Sequence, residues 1–128
     1  DVAQSVLDRL SENKERMGIK NVDIESWNWI DLADRNQSLS SRVDFDLVVA
    51  ADVVFDPVLI PSLVSTISIL NCNALIACTE RNKETFTFFL KALSNHGMTF
   101  TKTTFFPSSH HWFCYQEKSP IHLIKLWT

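Results

Sequence analysis

Residues 44–57 read D-F-D-L-V-V-A-A-D-V-V-F-D-P, and this stretch decides the fold. Leu47, Val48, Val49, Ala50 and Ala51 leave no polar face. Such a run predicts a strand covered by helices on both sides, the usual state of a central parallel strand. Ligands of these sheets bind beyond the carboxyl ends of the strands. Asp52 and Phe55 stand at that edge and are the first candidates for chemistry.

Composition narrows the alternatives. The 128 residues make one domain or part of one, and 45% hydrophobic with 21% charged is ordinary for a globular fold. Twelve Lys and Arg against fifteen Asp and Glu give a net charge of -3, with no dense basic run, which argues against a nucleic-acid surface. No apolar stretch reaches membrane-spanning length, and D-V-A-Q-S-V-L-D-R-L lacks the basic start and apolar centre of a signal peptide. The expected location is the cytoplasm. Cys72, Cys78 and Cys114 are odd in number and lack C-x-x-C spacing, so buried free thiols are expected rather than zinc or a disulfide. The chain opens with Asp1, not Met, and its only glycines are Gly18 and Gly97. Both facts suggest a fragment.

Around the central run the elements alternate. Ala3, Val6, Leu7, Leu10 and Met17 recur at helical spacing and predict a helix over about 3–17, with Gly18 able to end it in the left-handed conformation. Val22 to Glu25 alternate briefly as a strand, followed by Trp27-Asn28-Trp29 and a serine-rich surface loop over 34–42. After the strand at about 45–51, Asp56 can cap a helix with Pro57 at its first position, although Pro61 allows the regular helix to begin later. Leu59, Leu63, Val64, Ile67 and Leu70 would carry its buried stripe. Residues 74–78 form a second buried strand, and Asn82 caps a helix whose Phe86, Phe89, Leu90 and Leu93 face inward before Gly97 stops it. Residues 98–106 and 121–127 are β-prone with no helix between them, which suits an antiparallel hairpin at the sheet's edge. A parallel α/β sheet with such a hairpin is the plan of the class I methyltransferases.

These residues carry a resemblance. D-L-V-V-A-A-D-V-V-F-D-P resembles the signature of methyltransferase family 16, an acid, two residues and then Tyr or Phe after the fourth strand; here these are Asp52 and Phe55. Trp27-Asn28-Trp29 occupies the place of the family's Leu-Asp-Trp motif, with Asn28 for the family's Asp. Thr79-Glu80-Arg81-Asn82, residues 113–115 and the closing I-H-L-I-K-L resemble the elongation factor 2 lysine methyltransferase branch. The resemblance implies an S-adenosylmethionine-dependent protein-lysine methyltransferase, with elongation factor 2 as the expected protein partner. It implies Asp52 and Phe55 as catalytic residues, Asp1, Asn28, Trp29 and Ala51 as cofactor contacts, and Arg81 and Asn82 as substrate contacts. Asp1 would be the ribose-binding acid at the end of the second strand.

The family's glycine-rich turn after the first strand, where only glycine lets backbone approach the cofactor closely, has no counterpart here. Neither Gly18 nor Gly97 belongs to such a turn. Residues 1–128 therefore read as the C-terminal portion of one methyltransferase domain, its first two strands missing, and inactive on its own. The chemistry fits the residue types. The cofactor supplies an electrophile and the protein supplies position and electrostatics. A substrate lysine, whose reference pKa is about 10.4, must arrive neutral.

Each assignment has a plainer rival. An Asp before a helix is often only a cap, Phe55, Trp27 and Trp29 can be core, and Asn82 serves equally as a cap. Asp44 and Asp46 flank a strand start and face solvent. His110-His111 have no third ligand at suitable spacing, so no metal is expected. Ser108-Ser109-His110 makes no triad, because nothing marks a nucleophile turn. A family relative acting on another protein, an inert truncated module and a small-molecule methyltransferase all remain open.

Overall fold

The computed structural model describes residues 3–31, 45–105 and 119–127. Asp1, Asp44, His110, His111, Cys114 and the serine-rich loop over 34–42 lie outside the described residues, as does the 113–115 motif. The described elements run α1 (Gln4–Arg16), β1 (Leu47–Ala51), α2 (Ile60–Leu70), β2 (Asn73–Thr79), α3 (Lys83–Asn95), β3 (Thr99–Phe105) and β4 (Ile121–Trp127).

The four strands form one sheet in the order β1-β2-β4-β3. β1 and β2 are parallel, from Leu47 opposite Asn73 to Ala51 opposite Ala77. β4 enters between β2 and β3 and is antiparallel to both, with Ile124 opposite Ile76 on one side and Lys102 on the other. The expected hairpin is present, with β3 at the outer edge.

Why the helices stop where they do is legible in single residues. Gly18 (φ 65°) follows α1, donating its N–H to Glu15 while Ile19 donates to Lys14. Gly97 (φ 73°) follows α3 in the same way, with Gly97 donating to Ser94 and Met98 to Leu93. These paired bonds satisfy carbonyls that a helix end would otherwise leave unmet, and glycine adopts the left-handed angle without a Cβ penalty. Both glycines of the chain are thus used as helix stops. At the other end of α3, Asn82 Oδ1 accepts from the Thr85 N–H at 2.9 Å, the cap its position predicts.

α2 departs from expectation at its start. Asp56 Oδ1 accepts from the Val58 N–H and its carbonyl from the Leu59 N–H, so Asp56 builds a turn over 57–59 and the helix begins at Ile60. Pro61 stands in the first turn, where its missing N–H breaks no helical hydrogen bond.

One face of the sheet holds the core. Ile60, Leu63, Val64 and Ile67 of α2 and Phe86, Phe89, Ala92 and Leu93 of α3 pack over Ala74, Ile76 and Cys78 of β2 and Ile124 and Leu126 of β4. Fully burying a side chain such as Phe89 or Ile76 stabilises by about 1.5–3 kcal/mol. Cys72 and Cys78 are buried free thiols, as expected.

The opposite face corrects the first expectation. Val48 and Ala50 pack against the core, but Leu47 is 50% and Val49 70% exposed, so among the described residues β1 is covered on one side only. Residues 22–25 are not a strand: they run as irregular chain, because a strand exists only through a paired neighbour and the described β1 pairs with β2 alone. α1 buries no side chain, and its Leu7 and Leu10 line a shallow groove with Ile19, Val22 and Ile24.

Candidate functional site

The carboxyl ends of β1 and β2 lie side by side, and the chain leaves each by a sharp turn. After Ala51 the ladder continues one step, the Asp52 N–H donating to the Ala77 carbonyl at 2.8 Å. Asp52 then takes a φ of 56°, a left-handed angle uncommon for a residue with a side chain and most tolerated by Asp and Asn. That angle ends the strand abruptly. The following segment buries Val54 against the core and leaves Phe55 60% exposed at the rim.

After Thr79 the second turn is tighter still. The Arg81 N–H donates to the Thr79 carbonyl, and the Glu80 N–H reaches across to Pro120 just before β4, both at 2.9 Å. Arg81 is thereby turned back toward β1. Its Nη2 donates to Asp52 Oδ2 at 2.7 Å, with the two side chains 54% and 48% exposed. Residues 29 positions apart in the chain meet at the sheet edge. Being half in water, the ion pair contributes little to stability.

Beneath this rim lies a buried polar chain that sequence reasoning missed. His122 is 3% exposed, with Nε2 2.8 Å from Glu80 Oε2 and Nδ1 3.0 Å from Thr104 Oγ1. A carboxylate can only accept, so Nε2 carries the hydrogen toward Glu80, and the Thr104 hydroxyl pairs with Nδ1 on the other side of the ring. The His122 ring stacks on Phe86 at 4.1 Å, and Lys102 Nζ stands 5.6 Å from the Phe86 ring centre. Glu80 is therefore held by its backbone and its side chain together. A signal was present: His122 shares its side of the strand with Ile124 and Leu126, and a polar residue in a buried stripe needs a partner. The Cys78 thiol donates to the His122 carbonyl, and its pKa is raised to about 11 by burial first and then by the charges of Asp52 and Glu80.

The other expected site residues are distributed as follows. Ala51 is exposed at the last position of β1, next to Asp52. The Asn82 carbonyl oxygen is committed to its helix cap. Asn28 Oδ1 accepts from the Ile30 N–H, and Trp29 is half-buried against the core. Trp27 donates to Glu25 Oε2 and meets Phe45 edge to face, at the far end of β1 from Asp52. The structure brings together Asp52, Arg81 and, through the backbone, Ala51 and Asn82. Asp1 lies outside the described residues. Among the described residues no cluster of His, Cys, Asp and Glu could hold a metal ion, and no helix is long and apolar enough to cross a membrane.

A parallel pair joined to an antiparallel β3-β4 hairpin, with its polar residues at the carboxyl edge, is part of the class I methyltransferase fold. Solved structures share it. The whole chain superposes on 65% of precorrin-6y C5,15-methyltransferase from Geobacter metallireducens GS-15 with a TM-score of 0.61 at 14% identity. It superposes on 67% of precorrin 8w decarboxylase from Methanobacterium thermoautotrophicum with a TM-score of 0.60 at 13% identity. At such identities the likeness is one of fold. The lysine methyltransferase family, methyltransferase family 16, matches residues 2–96, and the chain belongs to that family. It is 29% identical over 139 aligned positions to protein-lysine N-methyltransferase EFM3 of Chaetomium thermophilum, covering 98% of the chain. The chain spans 41% of that relative's length.

Proposed function

We propose that this chain is the C-terminal portion of one S-adenosylmethionine-dependent protein-lysine methyltransferase domain, and that elongation factor 2 is its substrate. The observation that carries the reading is the paired Asp52 and Arg81 at the carboxyl edge of two parallel strands, in a member of the lysine methyltransferase family. The location that follows from this substrate is the cytoplasm.

The residues present fit one half of such a site. Both glycines are helix stops, so a glycine turn that would cradle the cofactor is absent from the described strand ends. Asp52, Phe55 and Arg81 supply the acceptor side. When bound, S-adenosylmethionine supplies an electrophilic methyl group. Asp52 accepts a hydrogen bond from the lysine amine and aims its lone pair, and Phe55 walls the channel. Arg81 and the exposed face of the Asn82 turn meet substrate backbone. Trp29 and Asn28 would hold the adenine, Ala51 would contact the cofactor from the end of β1, and Asp1 would hold the ribose.

The test uses the longer parent protein. Incubated with isotopically labelled S-adenosylmethionine and purified elongation factor 2, it should place label on a lysine identified by peptide mass spectrometry. Label on a different protein in a side-by-side panel would keep the chemistry and move the substrate. The absence of lysine label on every protein would overturn the reading.

A further inference from the structure

The Asp52 carboxylate poses a problem that the Proposed function leaves unsolved. A lone carboxylate within hydrogen-bond reach of a lysine favours the ammonium form. An ammonium ion has no lone pair, and at neutral pH only about one free lysine in a thousand is neutral to begin with. An acid placed to aim the amine would by itself hold it in the unreactive state.

The structure supplies the counterweight. Asp52 Oδ2 is already bound to Arg81 Nη2 at 2.7 Å, and arginine stays charged at every accessible pH. We propose that Arg81 keeps the substrate lysine neutral: its guanidinium occupies the Asp52 carboxylate as a fixed counter-ion, so that carboxylate accepts from an amine without attracting an ammonium. This rests on the lysine methyltransferase reading above. A cation within about 4–6 Å of an amine lowers the amine's pKa, the device by which catalytic lysines are themselves activated. Arg81 does so while leaving Asp52 Oδ1 as the acceptor.

The charge is fixed in place by the fold. Glu80 is anchored to the Pro120 carbonyl through its N–H and to buried His122 through its carboxylate. Arg81 is locked by its N–H to Thr79, and Asn82 begins α3. Among the described residues, the charged and titratable groups on the segments that carry or adjoin the pair can be named by element. From the β1 side these are Asp52 and Asp56, the latter bound to the Val58 N–H. From the β2 side they are Cys78, Glu80 and Arg81, and from the first turn of α3 Lys83 and Glu84. β4 contributes His122, whose two ring nitrogens are both hydrogen-bonded. Arg81 is the cation in contact with Asp52.

Transfer then needs only the lone pair. The amine forms the new N–C bond, the sulfonium C–S bond breaks with its electron pair remaining on sulfur, and the surplus proton leaves nitrogen for water. The proton that must be lost before this step is the one Arg81 makes easier to lose.

The experiment compares the parent protein with Arg81→Gln, Arg81→Lys and Asp52→Asn/Arg81→Gln over pH 6.5 to 10. The rising limb of kcat in Arg81→Gln should move up by about one pH unit, so that turnover near neutrality falls about tenfold and recovers in alkali. KM should fall or hold while kcat drops, because the bare carboxylate binds the ammonium form well. Arg81→Lys keeps a positive charge and should keep the limb near the wild-type position. The double variant should bring it back toward wild type. A second readout needs no turnover. Calorimetry of a substrate peptide at pH 7.4, in buffers of different ionisation enthalpy, should show a proton released per lysine bound by wild type and less by Arg81→Gln. An equal loss of kcat at every pH, with unchanged proton release, would overturn the role of Arg81 and leave the enzyme class standing. A wild-type parent that methylates no lysine would overturn both.

Discussion

Asp52 is where sequence and geometry meet most closely. Its φ of 56° means that the position selects for residues that tolerate a left-handed backbone, so the acid there has a structural reason beside any chemical one. The two reasons separate on substitution. Asn tolerates the angle as Asp does and removes only the charge. Asp52→Asn in the parent protein should melt within about 0.5 kcal/mol of wild type while methyl transfer falls tenfold or more, read by parallel thermal melts and initial rates. Normal turnover in that variant would leave Asp52 a turn residue. Phe55→Ala, removing a side chain already 60% exposed, should weaken both substrate binding and turnover with little change in stability. Cys78 gives a pH test. Its thiol is raised from 9.0 to about 11 in the fold, so the folded protein holds that proton more tightly than the unfolded chain. The associated stability is complete below pH 9.0 and declines as pH rises to about 11. Denaturant midpoints measured across that window should fall for wild type and stay flatter for Cys78→Ala.

At the scale of elements, the chain announces what it buries more clearly than what covers it. The β2 strand, the Asn82 cap, the inward row of α3 and both glycine stops were legible because local periodicity and backbone chemistry specify them. The β1 strand was legible as a strand, but not its surroundings: an apolar run reports a capacity to be covered on both faces, whereas Val49 is 70% exposed. Residues 22–25 failed for a related reason, since alternation does not supply a neighbour. Of the site, Asp52 was visible through its string and Arg81 through its motif. Their ion pair was not, because no local rule joins positions 29 apart. A contrast between faces follows. Ile76→Ala, in the fully buried row, should cost about 2–5 kcal/mol, whereas Val49→Thr should stay within about 0.5 kcal/mol, as chemical denaturation of the two variants would reveal. Equal losses would mean that Val49 is covered in solution.

For the molecule as a whole, the half-covered sheet and the use of both glycines as helix stops lead to one expectation for residues 1–128 alone. Titrated with S-adenosylmethionine in a calorimeter they should give no heat of binding, and in sedimentation they should self-associate through the open edge and apolar face of β1. Micromolar affinity, or a monodisperse monomer with a sharp melt, would require a second arrangement of the sheet. The position of β4 carries a further consequence, one of timing. It is the last described element to leave the ribosome, yet it is the shared neighbour of β2 and β3, which do not touch each other's ladders without it. Both strands must therefore wait, edges bare, until the chain has been synthesised past Trp127, and only then can the two halves of the sheet close around a late-arriving centre. Closure of the sheet is obliged to follow synthesis of β4, and a message cut short anywhere before Ile121 would leave the β1-β2 pair and a β3 with no strand beside it.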